Sequence, residues 1–134
     1  MDLDRNSHSV YNLNYHLVLV VKYRRKVIDN EITNRLKEIF EYVTRSYGIA
    51  ITEWGSDLDH IHCLFKAKPS TNISKFLNSY KFMSSRLIKK EYPIIRKSLL
   101  KEYFWYKKEK QYLYNWWIGS HRYSSYILVN TINK

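Results

Sequence analysis

The sequence predicts one α+β domain, a ferredoxin-like or RRM-like antiparallel sheet with helices packed on one face. Three observations lead there. Short runs rich in β-branched residues alternate with two long stretches of helical periodicity, in the order β-α-β-β-α. Only three glycines and two prolines punctuate the 134 residues, with no Ser-rich linker and no internal repeat. That length suits a single core. We therefore expect one domain over 1–134 and one site.

The elements follow in order. Tyr15 to Tyr23, "YHLVLVVKY", is β-branched and bounded by polar residues, which marks a strand. In "NEITNRLKEIFEYVTRSYG" the residues Ile32, Leu36, Ile39, Phe40 and Val43 recur at helical spacing, and Gly48 is placed to end that helix. "IAITEW" and "HIHCLFKA" read as two strands joined by a polar turn around Gly55 to Asp57. "NISKFLNSYKFMSSRLIKKEY" carries Ile73, Phe76, Leu77, Tyr80, Met83 and Leu87 on one face and should be a second amphipathic helix closed by Pro93. A later strand would complete the sheet.

Charge narrows the partner. Twenty-three Lys and Arg against twelve Asp and Glu leave a net charge of +11, spread along most of the chain. That distribution favours a polyanion. Thirteen Tyr, four Trp and five Phe interleaved with the cations suit bases that stack while their phosphates are neutralised, although many of these rings must serve the core. Single-stranded nucleic acid is the expected partner. The lone Cys63 excludes an internal disulfide and a Cys-based zinc cluster, which fits a reducing cytoplasm. No apolar segment approaches a membrane span, and "MDLDRNSHSV" has neither the basic nor the apolar part of a signal peptide. No membrane partner is expected.

The stretch "DLDHIHCLF" carries the chemistry. On a strand His60 and His62 point the same way, roughly 6 to 7 Å apart at Cα, while Ile61, Cys63 and Phe65 enter the core. Two neutral imidazoles on one face can share a divalent ion such as Mg, Mn or Zn, or can be half-exposed strand residues with no ligand. His16 on a neighbouring strand could reach the same face. Asp59 or Glu53 could orient an imidazole by accepting its second N–H.

Three blocks, "YHLVLVVKYRRKVI", "DLDHIHCLF" and "KFLNSYKFMSSRLIKKEY", resemble in order and spacing the HUH-type single-tyrosine transposases of the insertion-sequence 200/605 group. The resemblance covers roughly Tyr11 to Trp105 and implies the HUH nuclease fold. It further implies a homodimer with composite active sites that binds hairpins at element ends, cuts single-stranded DNA with a tyrosine, and rejoins it. Mg or Mn held by His60 and His62 would act as the Lewis acid, and no small-molecule cofactor would be needed. Lys22, Arg24, Arg25 and Lys26, with Lys75, Lys81 and Arg86 on the second helix, would contact DNA.

The family's tyrosine lies on a late helix in a pattern resembling Tyr-Ile-x-x-Gln, whose amide completes the metal shell. In the C-terminal segment, about 107–134, the nearest match is "YILVN". It would make Tyr126 the nucleophile, Asn130 the substituted ligand, and Tyr123 the second candidate. Asn is one methylene shorter than Gln, and "YKKEKQYLYNWWIGSHRYSSYILVNTINK" departs from the family's Thr- and Gly-rich turn and Pro-started helix. Two alternatives to the enzyme follow: a catalytically defective remnant that still binds hairpins, and a non-catalytic module that stacks single-stranded nucleic acid on its sheet.

Overall fold

Strand β1 (Leu13–Val20) alternates half-buried and buried residues, turning Tyr15, Leu17 and Leu19 into the core. It is central to a five-stranded sheet in the computed structural model, which describes residues 13–99, 104–106, 109–118 and 121–130. Strands β2 (Ala50–Ser56) and β3 (His60–Ala67) form the expected antiparallel hairpin, and β3 pairs antiparallel with β1. Helix α1 (Asn30–Thr44) starts where the Asp29 carboxylate accepts the Ile32 N–H at 2.8 Å. Gly48, at φ 64°, takes the left-handed turn just beyond it. Asn72 caps α2 (Ile73–Glu91) in the same way. Pro93 both closes α2 and opens a short α3 (Pro93–Leu99), because its ring is tolerated in a first helical turn.

The helices pack on one sheet face. Phe40 of α1 is fully buried, with the rings of Trp54, Phe65, Phe76 and Tyr80 all within 6.0 Å, so one aromatic cluster joins α1, α2, β2 and β3. Farther along α2, Ser84 accepts the Trp105 indole N–H and Ser85 the Phe104 backbone N–H. Phe104 and Trp105 are themselves buried, and the chain around them bridges the end of β1.

Two expectations need correction. The sheet is mixed, not wholly antiparallel: β4 (Glu109–Ile118) and β5 (His121–Asn130) form a hairpin, and β5 lies parallel beside β1 in the order β2-β3-β1-β5-β4. The late helix of the family pattern is likewise not found among the described residues, since 121–130 is extended. "RYSSYILVN" is dense in β-branched and aromatic residues, which suit a strand bordered on both sides, and this local preference prevails over the family pattern.

Candidate functional site

The alternation of β3 puts Ile61, Cys63 and Phe65 into the core and leaves His60 half-buried and His62 exposed on the opposite face. Burial pushes the Cys63 thiol up to about 12, which marks an inert core residue. The face that carries the histidines is the one that α1 and α2 leave uncovered.

The two imidazole centroids are 6.1 Å apart. With metal–nitrogen bonds of about 2.1 Å, two rings on one ion have centroids roughly 5 to 6 Å apart, so a small side-chain rotation would bring this pair onto one ion. His60 is already oriented: its Nδ1 lies 2.8 Å from Asp59 Oδ1, and the other Asp59 oxygen accepts from Arg24 Nε at 3.3 Å. These contacts, the histidine first, hold the Asp59 carboxyl below the usual carboxylate range. An ionised Asp59 accepting from Nδ1–H leaves Nε2 with its lone pair, the tautomer a metal ligand needs.

His62 is positioned from below by a residue that the sequence reading used only as a turn. Gly55 is its partner across β2 and β3, and a Cβ at Gly55 would collide with the imidazole, standing 2.7 Å from Nε2. The ring occupies the space that any other residue would fill. The signal in the sequence was a glycine within a strand-like run, which often marks a close approach.

The other expected residues separate into groups. His16 pairs with Leu64, one step of the same face away from Val18, the partner of His62. Glu53 also pairs with Leu64 after a bulge, which puts it on the histidine side. Among the described residues, however, no group of three His, Cys, Asp or Glu converges to hold an ion. Arg24, Arg25 and Lys26 are exposed just beyond β1, Lys22 is half-buried beside them, and Lys75 and Arg86 are exposed on α2. Lys81 is corrected: it is 2% exposed, on the stripe that also buries Leu77, Ser84 and Ile88, and cannot meet DNA in this fold.

Tyr123, Tyr126 and Asn130 lie in β5, and their side chains fall outside the described part. Their backbone register is informative. Tyr126 pairs with Tyr15, which pairs with Phe65, so it stands two strands across and three residues along from His62. That separation is on the order of 14 Å. Asn130 pairs with Leu19 and is level with Ile61, again two strands away, or about 10 Å. Tyr123 lies beyond the rungs shared with β1. Tyr80 offers no alternative nucleophile, because it is fully buried and donates its hydroxyl to the Leu36 carbonyl.

Comparison with known proteins identifies relatives over most of the chain. A family model described as "Transposase IS200 like" matches residues 9–115. The ISDra2 transposase TnpA of Deinococcus radiodurans is 30% identical over 99 residues, spanning 74% of this chain and 71% of that protein. The transposase for insertion sequence element IS200 of Salmonella typhimurium is 26% identical over 99 residues, spanning 74% of this chain and 65% of that protein. A crystal structure of a protein from Deinococcus radiodurans R1 is similar at a TM-score of 0.66 and 27% identity, covering 74% of this chain and 76% of that one.

Proposed function

Because this chain belongs to the IS200-like transposase family, we propose that it cuts and rejoins single-stranded DNA at insertion-sequence ends through a covalent phosphotyrosine. In this reading it acts as a homodimer on hairpin-bearing ends, with Mg or Mn at His60 and His62. The observation that carries it is the pair of imidazoles on one uncovered sheet face, one of them already oriented by Asp59.

Bound there, the ion would supply Lewis-acid neutralisation of the scissile phosphate. The protein's own residues do the rest. Asp59 keeps the His60 proton on Nδ1, Gly55 leaves room for His62, and Lys22, Arg24, Arg25 and Lys26 hold the flanking phosphates. The tyrosine oxygen bonds to phosphorus while the bond from phosphorus to the 3′ oxygen breaks. The phenol loses its proton, and the departing oxygen gains one to become a 3′ hydroxyl. Attack by a 3′ hydroxyl on the phosphotyrosine reverses these changes and rejoins the strand, so no nucleotide cofactor is consumed.

Tyr126 is the nucleophile in this reading, Tyr123 the second candidate, and Asn130 a further ligand. Tyr126 and Asn130 share the rungs of Tyr15 and Leu19, which β1 turns into the core, so these roles require β5 to rearrange. The separation of roughly 14 Å between Tyr126 and His62 within one chain favours a tyrosine that serves the partner's histidines. The same separation, with β5 extended, also favours a second reading: a remnant that binds hairpin DNA without cutting it.

The deciding experiment incubates the protein with Mn and a labelled single-stranded oligonucleotide carrying an element end, then resolves covalent adducts on a denaturing gel. We expect an adduct that is lost with chelator, in His60→Ala and His62→Ala, and in Tyr126→Phe. Loss in Tyr123→Phe instead moves the nucleophile three residues upstream. Hairpin binding with no adduct at any metal concentration establishes the remnant.

A further inference from the structure

The chain leaves β1 through a backbone that ordinary side chains avoid. Tyr23 (φ 60°) and Arg24 (φ 52°) are the two non-glycine residues with positive φ among the described residues. There the Cβ crowds the following carbonyl oxygen, and a bulky aromatic is an outlier. Such a conformation persists only where its surroundings over-determine it. Here they do. Val21 N–H donates to the Asp59 carbonyl at 2.9 Å, Lys22 N–H to the Phe104 carbonyl at 2.8 Å, and Arg24 N–H to the Val21 carbonyl at 2.8 Å. Phe104 and Trp105 anchor this frame from the core.

The frame does not bury the ring it constrains. Tyr23 is 55% exposed, with Lys22 Nζ 5.7 Å and Arg25 Cζ 5.8 Å from its centroid. The next residue, Arg24, reaches the carboxylate that orients His60. One short turn therefore displays an aromatic ring, brings two cations within 5.8 Å of its centroid, and ties itself to the histidine pair. Two other exposed rings carry an arginine, Tyr42 with Arg45 and Phe82 with Arg86. Both rings sit on ordinary helical backbone, Tyr42 in α1 and Phe82 in α2, without positive φ.

From strain, exposure and placement together, we propose that Tyr23 is a stacking platform for one unpaired base of single-stranded DNA, with Lys22 and Arg25 on the phosphates either side. The stacked base sets the register of the strand, so that the neighbouring phosphate lies against His60 and His62. Tyr23 is thus a positioning residue, and the assignment rests on the strand-cleavage reading above. Stacking is tolerant of sequence, because every base has a π face. It is also insensitive to salt, whereas phosphate contacts are not.

The test measures affinity of the full chain for a fluorescent single-stranded element end by anisotropy at several salt concentrations, beside Tm and adduct yield. Tyr23→Ala and Tyr23→Gly should weaken binding roughly tenfold with an unchanged salt slope. Tyr23→Gly should hold or raise Tm, because glycine relieves the positive φ. Tyr23→Phe should keep both affinity and adduct, and Arg25→Ala should flatten the salt slope instead. Binding by Tyr23→Ala within twofold of the parent protein overturns the proposal, as does a loss of affinity that merely tracks a fall in Tm. Loss of the adduct in Tyr23→Phe overturns it in favour of a nucleophile at this position. A parent protein that binds no single-stranded DNA removes the strand-cleavage reading and the proposal together, whereas binding without an adduct removes cleavage alone and leaves the stacking test decisive.

Discussion

Gly55 and His62 show how much of the site rests on an atom that is missing. The imidazole lies across the bare backbone of β2, and a single methyl group at Gly55 would force it away. Alanine in a strand normally stabilises relative to glycine by roughly 0.5–1 kcal/mol. The expected outcome for Gly55→Ala is therefore a fold close to parental stability with Mn binding weakened tenfold or more, the range seen when groups that orient metal ligands are disturbed. Titration calorimetry with Mn alone reads this directly. Parental affinity in Gly55→Ala would mean that His62 can swing to another rotamer at no cost. His60 is guarded differently, by a hydrogen bond to an ionised Asp59, so its orientation depends on charge and not on space.

The helices illustrate what one ion pair contributes between elements. Arg35 of α1 grips Glu91 at the end of α2 through two contacts, at 2.8 and 2.9 Å. The Arg35 hydrogen bond holds the Glu91 carboxyl below its ordinary range and raises the Arg35 guanidinium in turn. Each side chain is about one-third exposed, so screening limits the pair to about 0.5–1 kcal/mol. The sign follows from linkage: a carboxyl with a lowered folded pKa stabilises above its unfolded value and loses that contribution as pH falls through the folded one. Glu91→Gln should therefore lower Tm by about 2 °C at pH 7. By pH 3 the difference should shrink, as followed by circular dichroism. A constant difference across that range would assign the effect to packing.

At the scale of the whole molecule, the arrangement of β5 decides how a site could be completed. Parallel pairing beside β1 keeps Tyr126 two strands from the histidines of its own chain. Composite sites make a clear prediction. Tyr126→Phe and His62→Ala proteins, each inactive alone, should recover cleavage when mixed and allowed to exchange subunits. Random exchange makes half the dimers mixed, each with one complete site of two, so adduct yield should reach about a quarter of the parental value. No recovery, with exchange verified, would require histidines and tyrosine from the same chain. Among the described residues no helix is long and apolar enough to cross a membrane.

Local periodicity determined what local periodicity can. Strand β3 has the expected bounds, His60 to Ala67, and the two histidines share a face because alternation on a strand needs no neighbour to enforce it. Helices α1 and α2 follow their apolar stripes, with Asp29 and Asn72 as caps. Lys81 was misplaced because its charge outweighed its position, although it falls on the stripe of Leu77, Ser84 and Ile88. What only the tertiary structure decided depends on partners distant in the chain. Extended backbone at 121–130 is stabilised by β1 on one side and β4 on the other, and neither is visible from within "RYSSYILVN". The left-handed Tyr23 requires Asp59 and Phe104 to hold it, and the clearance at Gly55 exists only because His62 lies opposite. The sequence by itself specified two histidines on one strand face, since that is a matter of period. Asp59, the orienting group the sequence already offers, adjoins His60 in the chain. The clearance at Gly55, the reach of Arg24 and the displayed Tyr23 came instead from contacts between segments, which period does not encode.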